Sequence, residues 1–293
     1  MRSLFACLYA PLFLAGFLAL ALWTAAHHPP FWLVLLLLPA IALSFLAEAW
    51  LPYEPQWNRP RGDRVRDGLH ALVNESLNLL GVAAVPMIAV WLPDLGAWPE
   101  HWPLALQLLL AILIADLGLT LVHYLSHRVE PLWRLHAVHH SVERLYGFNG
   151  LMKHPLHLAA EALAGTAPLL ALGMTERVAA LLAFAIALQL LLQHSNVDIR
   201  VGPLRHLFAW APVHRFHHMK YGRAGDVNFA LFFSFWDRLL GTAFHSDYPM
   251  GGDDLGIGSR PDYPRDYLAQ LVEPFRPQPH GTNPQAPDGL RRT

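Results

Sequence analysis

Long stretches without charged residues dominate the first two thirds of the chain. Four of them have 16 to 20 residues, close to the about 20 that a helix needs to cross a bilayer core, and two shorter stretches follow. We predict four spans and a helical hairpin that enters from one face of the membrane, at Leu4–Trp23, Phe31–Ala47, Leu77–Leu92 and Pro103–Val122, and at Ala162–Gly173 with Val178–Leu192. The predicted fold class is therefore all-α, an integral membrane helical bundle.

The distribution of arginine predicts the orientation of the bundle. Arg2 precedes the first predicted span, and the loop at 52–68 contains four arginines. Segments 24–30 and 93–102 contain no Arg or Lys. Because basic loops remain in the cytoplasm, the N-terminus, the 52–68 loop and the chain after the fourth span are predicted to be cytoplasmic. Segment 194–275 then forms a cytoplasmic helical cap against the membrane.

The composition supports a membrane protein and excludes several other classes. Hydrophobic residues make up 54% of the 293 residues and charged residues only 15%, whereas a soluble domain is about 25% charged. A formal net charge of −1 argues against general nucleic-acid binding. The single cysteine, Cys7, excludes an internal disulfide, a zinc ribbon and a cysteine-ligated iron–sulfur cluster.

Histidine is the residue type in excess, with 18 copies against 21 Lys and Arg combined. Eight histidines form three short motifs: His123 and His127; His136, His139 and His140; His214, His217 and His218. At i, i+3 and i+4 spacing on a helix, each motif presents two or three imidazoles to a common point. Neutral imidazole binds zinc, iron, copper and nickel. The repeated motif therefore predicts metal binding rather than incidental core packing.

The number of histidines predicts two ions, because a tetrahedral site uses four ligands and an octahedral site six. His194 ends the last apolar stretch and would complete the ligand set. His154 and His157 are weaker candidates, and His154 would act either as a ligand or as an outer hydrogen-bond partner. The alternative for His154 is a plain polar loop residue.

Four polar residues are predicted to orient the ligand imidazoles. Asp116 lies two helical turns before His123 on the same face, and an ionisable residue inside a span is a functional candidate. We expect its carboxylate to accept a hydrogen bond from a ligand imidazole. A protonated carboxyl, or one paired with another helix, is the alternative. Asp226, Asn228 and Asp237 are outer partners of the third motif or, equally, turn and helix-cap residues.

Together these motifs resemble the fatty acid hydroxylase and sterol desaturase superfamily of membrane-bound di-iron oxygenases. The resemblance covers about residues 110–245 and includes further sequence elements in the same order: Leu132-Trp133-Arg134-Leu135 before the second motif, His154-Pro155, His194-Ser195-Asn196, Asp226-x-Asn228-Phe229 and Trp236-Asp237-Arg238-Leu239-x-Gly241-Thr242. One departure is Tyr124, where many relatives have arginine.

The resemblance implies a function. The eight histidines of the three motifs, with His194, would hold two iron ions at the cytoplasmic face, with zinc as a possible substitute metal. The protein would use O₂ and two electrons to hydroxylate or desaturate a C–H bond of a lipid such as a fatty acyl chain or a sterol. A separate electron donor, of the ferredoxin or cytochrome type with its reductase, would be needed. The implied domains are a transmembrane region at 1–102, a catalytic domain at 103–275 and a disordered tail at 276–293.

Two other functions remain open from the residues alone. A zinc-dependent membrane hydrolase would also use imidazole ligands, but the chain has no His-Glu-x-x-His motif. A metal transporter or metal-binding protein would place its ligands near the bilayer midplane, whereas these motifs fall at the predicted cytoplasmic ends.

Frequent use of Ala, Leu and Arg favours a bacterial source and hence the cytoplasmic membrane.

Overall fold

The computed structural model describes residues 2–91, 95–279 and 281–291. In these residues the regular elements are helices, and no β-strand forms. The seven longer ones among them are α1 Arg2–His27, α2 Phe31–Trp50, α3 Arg64–Ala89, α4 Leu104–Ser126, α5 Glu130–His140, α6 Pro155–Ala171 and α7 Glu176–Gln193. Three short helices follow, α8 Ala211–His214, α9 Phe235–Leu239 and α10 Tyr267–Val272. The prediction of an all-α protein is confirmed.

Five of these helices, α1, α2, α3, α4 and α7, are long and apolar enough to cross a membrane. The four predicted spans correspond to the first four. The predicted hairpin corresponds to α6 and α7, which a short turn connects. With 18 residues, α7 can cross the bilayer as a fifth span rather than only enter from one face.

Helix α7 is the centre of the bundle because it is apolar on all sides, the pattern of a buried helix. It contacts α1, α2, α3 and α4. Its two interior polar side chains, Gln189 and Gln193, are buried and bonded: both donate to backbone carbonyls of residues 230–231, at 2.6 Å and 2.9 Å. These bonds join the bundle to the loop that follows the third histidine motif.

Helix α3 begins 13 residues before the predicted span at Leu77, at Arg64. Its first turns are polar, so the apolar pattern did not reveal them. Tertiary contacts stabilise this part instead: the Asn74 amide donates to the Leu151 carbonyl at 2.6 Å, and His70 bonds to Gln270 at 2.9 Å. The predicted loop at 52–68 is therefore shorter than expected.

Helices α4 and α6 pack closely at Gly118, where any β-carbon would collide with the backbone carbonyl of Ala164. Small residues at such positions let membrane helices approach each other. The approach brings the C-terminal end of α4 beside the first turns of α6. The C-terminal end of α7 lies at the same end of the bundle, next to the cap.

The cap consists of short helices and turns around a second apolar cluster that includes Trp57, Phe216 and Met250. Leu290 is fully buried in this cluster, and the Ser246 hydroxyl donates to the Gly289 carbonyl at 2.7 Å. The described part of the tail thus contacts the cap. His280 lies outside the described residues.

Candidate metal centre

The nine predicted ligand histidines come from four parts of the fold. His123 lies in the last turn of α4, and His127 caps its C-terminus. The second motif occupies the last two turns of α5. His194 caps the C-terminus of α7, and the third motif extends over α8 and the 3₁₀ turn Arg215–His218. Each ligand therefore lies at a helix end next to the cap.

The structure divides these histidines into two groups, with ligand atoms within 4.8 Å of one another in each group. The groups are His123, His127, His136, His140 and His217, and His139, His194, His214 and His218. Two groups fit two ions, as the number of ligands predicts. We expected each motif to present its imidazoles to one common point. The second and third motifs instead contribute histidines to both groups.

Within each group, the imidazole Nε2 atoms point at one another. His123 Nε2 lies 2.7 Å from His217 Nε2, and His218 Nε2 lies 3.2 Å from His194 Nε2. Other pairs within the groups are 3.1 Å to 3.3 Å apart. The atom that would bind a metal is therefore Nε2 on each of these rings.

Several rings are fixed with the proton on Nδ1, because their Nδ1 faces a carbonyl oxygen, which can only accept a hydrogen bond. The partners are Phe229 for His123 at 2.7 Å, Val227 for His217 at 2.8 Å, Asn228 for His214 at 3.3 Å, Met152 for His139 at 3.2 Å and Leu190 for His194 at 3.2 Å. A neutral ring that donates through Nδ1 carries its lone pair on Nε2.

Converging lone pairs repel each other unless a cation lies between them. His123 and His217 illustrate this, since both donate through Nδ1 and their Nε2 atoms are 2.7 Å apart. His194 and His139 form the equivalent pair in the second group. The donor set therefore fits metal ions in both groups, and imidazole is the ligand that iron, zinc and copper share.

Three of the accepting carbonyls are consecutive, at Val227, Asn228 and Phe229, and we call residues 227–233 the carbonyl segment. Asn228 has a left-handed backbone with φ of +53°, a conformation that asparagine tolerates better than most residues. Its side chain accepts from the Phe244 amide at 2.8 Å and donates to the Val213 carbonyl at 2.8 Å. The Asn228 side chain thus bonds to the backbone, and only its carbonyl oxygen faces a ligand imidazole, that of His214.

Two buried aspartates hold the carbonyl segment by its amides. Asp116 accepts from the N–H groups of residues 231, 232 and 233 at 2.9–3.0 Å. Asp237 accepts from those of residues 229 and 230 at 2.7 Å and 3.0 Å. The expected bond from His123 to Asp116 does not form, because the Nδ1 of His123 bonds to Phe229 instead. Asp116 reaches the ligands only through the backbone.

Asp226 makes the direct contact that was expected of an outer partner. Its carboxylate accepts from the Nδ1 of His127 at 3.0 Å, and Arg128 lies 3.8 Å away. Burial lowers the pKa of His127, and the bond to Asp226 opposes that shift. A carboxylate behind an imidazole fixes the ring orientation and raises its basicity as a ligand.

His154 lies outside both groups. Its Nδ1 accepts from the Leu156 amide at 3.1 Å and caps α6, and its Nε2 faces the Leu271 carbonyl at 3.1 Å. His157, the second weaker candidate from the sequence, also belongs to neither group. Its ring lies 4.6 Å from that of His136, and its Nε2 donates to the Ser126 hydroxyl at 2.9 Å. The i, i+3 spacing from His154 was its only sequence cue.

Burial keeps the ligand imidazoles neutral. It is the main cause that holds the pKa of His136, His139, His140 and the third motif well below the usual range, and neighbouring imidazoles add to it. For His194 burial lowers the pKa to about 3. Because metals bind the neutral ring, these side chains are in the form that coordinates an ion at neutral pH.

The chain is similar in sequence to known proteins. Residues 108–242 match the model of the fatty acid hydroxylase family. An ornithine lipid hydroxylase of Rhizobium tropici is 34% identical over 253 residues, which cover 83% of this chain and 76% of the relative. The chain belongs to the fatty acid hydroxylase family.

Other relatives match a shorter part of this chain. Sphinganine C4-monooxygenase 2 of Arabidopsis thaliana is 29% identical over 143 residues, 47% of this chain and 54% of the relative. Methylsterol monooxygenase 1 of Rattus norvegicus is 30% identical over 129 residues, 41% of this chain and 42% of the relative. The chain matches no solved structure.

Two cavities reach the two histidine groups. The first is small, with a volume of about 20 Å³, and is lined by histidines of both groups together with Leu119, Leu190, Lys153 and Glu161. The second, of about 400 Å³, is more open and lies on the cap side. It is lined by His127, His140 and His217, and also by Arg128, Trp133 and Arg223.

Tyr124 packs against both the carbonyl segment and a basic residue. Its ring makes an edge contact with Phe229 at 5.4 Å, and the Arg128 guanidinium lies over it at 5.0 Å. Phe229 in turn packs against His123, His127 and His217. Tyr124 therefore lies behind the residue that packs on three of the clustered histidines.

Proposed function

We propose that the protein is a membrane-bound lipid oxygenase that uses two iron ions, O₂ and two electrons to hydroxylate or desaturate a C–H bond. The observation that supports this most directly is the pair of buried histidine groups, whose Nε2 lone pairs converge beside a cavity in a helical membrane bundle. Relatives named as lipid hydroxylases and monooxygenases support the same reaction class. Residues 103–275 are the proposed catalytic domain.

The five-histidine group would hold one iron and the four-histidine group the other. When bound, the two irons supply the activation of O₂ and the abstraction of hydrogen from carbon. The protein's part is to keep nine imidazoles neutral, oriented and dry. The carbonyl segment and Asp226 fix the rings, and burial excludes water from the ligands.

The electrons would come from a separate donor of the ferredoxin or cytochrome type, with its reductase. The cap-side cavity is the proposed approach, because it reaches His127, His140 and His217 from the surface of the cap. The ring of Trp133 lies 5.1 Å from that of His127 and 5.4 Å from that of His140. Trp133 lines the same cavity, so an aromatic side chain lies beside the two histidines at the proposed approach.

We propose that the N-terminus, the cap and the histidine groups face the cytoplasm, in a bacterial cytoplasmic membrane. The arginine-rich segment 52–68 and the cap lie at the same end of the bundle, since the guanidinium of Arg215 in the cap lies over the ring of Tyr53 at 3.5 Å. Basic segments remain on the cytoplasmic side. A soluble electron donor would then reach the ligands from that side.

The test combines metal analysis with isotopic labelling. Purified protein should contain about two iron ions per chain, and membranes given isotopically labelled O₂ and a reductant should form a lipid with labelled oxygen. A desaturation would place the label in water and remove two hydrogens from the lipid. Label in neither product, from protein with its full metal content, would contradict an oxygenase. A hydrolase or a transporter, the two alternatives, would give that result.

A further inference from the structure

Residues 281–291 lie across the outer side of the cap-side cavity. Asn283 lines this cavity together with three histidines of the five-histidine group. A β-carbon added at Gly222 would lie 2.7 Å from Asn283 Nδ2, and one added at Gly258 would lie 2.5 Å from Pro284 Cδ. Both glycines also line the cavity. The 281–291 segment therefore packs directly on two parts of the cavity wall.

One buried side chain anchors this segment to the cap. Leu290 is fully buried in the second apolar cluster, beside residues such as Trp57 and Met250. The Ser246 hydroxyl donates to the carbonyl of Gly289, the preceding residue, at 2.7 Å. Burying a whole leucine side chain favours the attached state by roughly 10–100-fold. The anchor therefore keeps the segment attached most of the time, but it can be released.

The part of the segment beside the cavity is held less firmly. Residues 281–285 are exposed, and they contact the cap by close packing on backbone, as Gly281 does on the carbonyl of Ser259. Segments with few buried apolar contacts open at a low cost in free energy. Release of Leu290 would therefore free this part as well.

The cavity beneath the segment is the exposed side of the histidine site. His127 is only partly buried, whereas the other histidines of its group and all members of the four-histidine group are buried. The cavity that His127 lines has a volume of about 400 Å³, within the about 300–1,000 Å³ of ligand pockets. Solutes that enter this cavity would reach the five-histidine group first.

We propose that the 281–291 segment is a cover that controls access to the five-histidine group, with Leu290 as its anchor. With Leu290 buried, the segment narrows the cavity and limits contact of His127 with solutes. With Leu290 released, the path from the cap surface to His127 and Trp133 is wider. The consequence for electron transfer rests on the proposed function, in which the donor approaches through this cavity and would have to displace the cover.

The first experiment measures access with a thiol reagent and does not depend on the bound metal. Cys7, the only cysteine of the chain, is replaced by serine, and Ser259→Cys introduces a thiol of similar size into the cavity wall. Labelling by a water-soluble maleimide is followed on full-length protein in detergent. Arg200→Cys is the control thiol, because that side chain is 61% exposed and does not line the cavity.

Two variants of the anchor are compared in this assay. Leu290→Asp would bury a charge among apolar side chains, so it should release the segment and raise the labelling rate at Ser259→Cys by about 10-fold or more. Leu290→Met is the matched control, because methionine keeps an apolar side chain of similar volume. It should label at the wild-type rate. The rate at Arg200→Cys should be the same in all three proteins.

The second experiment follows the release of zinc to a coloured chelator. Full-length protein loaded with zinc is mixed with 4-(2-pyridylazo)resorcinol, whose absorbance reports the captured metal. Because only the five-histidine group has a partly buried member, we expect a faster phase from that group and a slower one from the four-histidine group. Leu290→Asp should accelerate the faster phase alone, by about 10–100-fold. Leu290→Met should change neither phase.

A cysteine pair tests the same cover in the opposite direction. A β-carbon at Gly222 would lie 3.2 Å from Asn283 Cβ, near the about 3.5–4.5 Å between the β-carbons of a disulfide. Gly222→Cys with Asn283→Cys, in the Cys7→Ser background, should therefore fix the segment on the cavity wall when oxidised. The oxidised protein should release zinc in the faster phase more slowly than the same protein reduced with a phosphine.

The cysteine pair also serves where Leu290→Asp does not fold. Gly222 has a φ of +59°, a left-handed conformation that strains a cysteine. The oxidised and reduced forms of one variant share this strain, so that the difference between their rates reports the cover alone.

The outcomes separate a cover from a segment that only stabilises the fold. Rates of labelling and zinc release that are the same in wild type, Leu290→Asp and both forms of the cysteine pair would mean that the segment does not control access. If Leu290→Asp accelerates both zinc phases and the labelling of Arg200→Cys, and lowers the unfolding midpoint, the segment stabilises the whole protein and the inference is also wrong. A failure to form labelled product would contradict the oxygenase and leave the access measurements standing.

Discussion

The imidazole of His123 donates its Nδ1 hydrogen to the carbonyl oxygen of Phe229, 2.7 Å away. This bond joins the last turn of α4 to the carbonyl segment, which also binds two ligands of the third motif. The same helix holds the segment a second time, because Asp116 accepts three of its amides. Ligand orientation therefore depends on how firmly this backbone is fixed.

Asp116 is expected to affect metal binding indirectly. Asp116→Asn keeps one oxygen as acceptor and should give a partial loss of metal. Asp116→Leu removes all acceptors and leaves three buried N–H groups without a partner, so its loss should be larger, within the about 10–100-fold typical of an outer partner. Leucine also favours membrane insertion, so the inserted yield should not fall.

The measurement for Asp116 compares inserted protein, bound metal and product for both variants. A metal content in Asp116→Leu equal to that of the wild type would mean that the carbonyl segment is held without this carboxylate. A fall in inserted yield for Asp116→Leu would indicate instead that the residue is required for folding.

His139 and His217 lie in different histidine groups, so their variants should differ in which ion is lost. Replacing either with alanine removes one buried imidazole from its group. We expect His139→Ala and His217→Ala each to retain about one ion of two, and the double variant to retain none. Inductively coupled plasma mass spectrometry of purified protein gives the ratio. Two ions in the double variant would contradict the assignment of the groups.

His154 should behave as a helix cap and not as a ligand. His154→Ala removes the acceptor of the Leu156 amide, and loss of a cap costs about 1 kcal/mol. We expect a lower midpoint of thermal unfolding and an unchanged metal content. His154→Asn is the control, since asparagine also caps helices and should restore most of the stability. Loss of metal in His154→Asn would show that the imidazole itself coordinates.

Features that depend on residues close together in the chain could be predicted from the sequence, and features that depend on tertiary contacts could not. Helical spacing and residue type were enough to predict the nine histidines, including His194, that the structure brings together in two groups. The division of the motifs between two groups could not be predicted, because it depends on how α5 and α8 face each other. For Asp116 the residue was right and its partner wrong, since the amides that it binds are more than 100 positions later in the chain.

The ion pair of Lys153 and Glu161 shows the same limit. Each residue alone looks like an ordinary surface charge in the sequence. Their contact depends on the start of α6, which His154 caps, and on Asn74 of α3. The early start of α3 was itself missed, because that half of the helix is polar.

The topology can be tested with reporters fused at three positions. A reporter after Arg66 or Lys153 should read cytoplasmic, and one inserted near Trp98 should read external, because the arginine-rich loops stay inside. Trp98 bonds to Gln107 at 2.8 Å, at the start of α4, the opposite end from His123. An external reading at Lys153 would separate the histidine groups from a cytoplasmic electron donor and contradict the proposed orientation.

The close packing of α4 on α6 should be sensitive to a single methyl group. A β-carbon at Gly118 meets the backbone of Ala164 and Gly165, which cannot rotate away as a side chain could. Gly118→Ala should therefore push the helices apart, at a cost of about 1–3 kcal/mol for overpacking. Because α4 carries His123, bound metal should fall together with the unfolding midpoint.

Gly16 of α1 provides the matched control for Gly118. It also lies within a membrane helix, but a β-carbon there meets no atom within 4 Å. Gly16→Ala should be neutral or stabilising, by up to about 1 kcal/mol, since alanine is the better helix former. Thermal unfolding in one detergent, with metal content measured on the same samples, compares the two variants. Equal midpoints for Gly118→Ala and Gly16→Ala would mean that α4 and α6 tolerate separation, and that the position of His123 is set by the carbonyl segment alone.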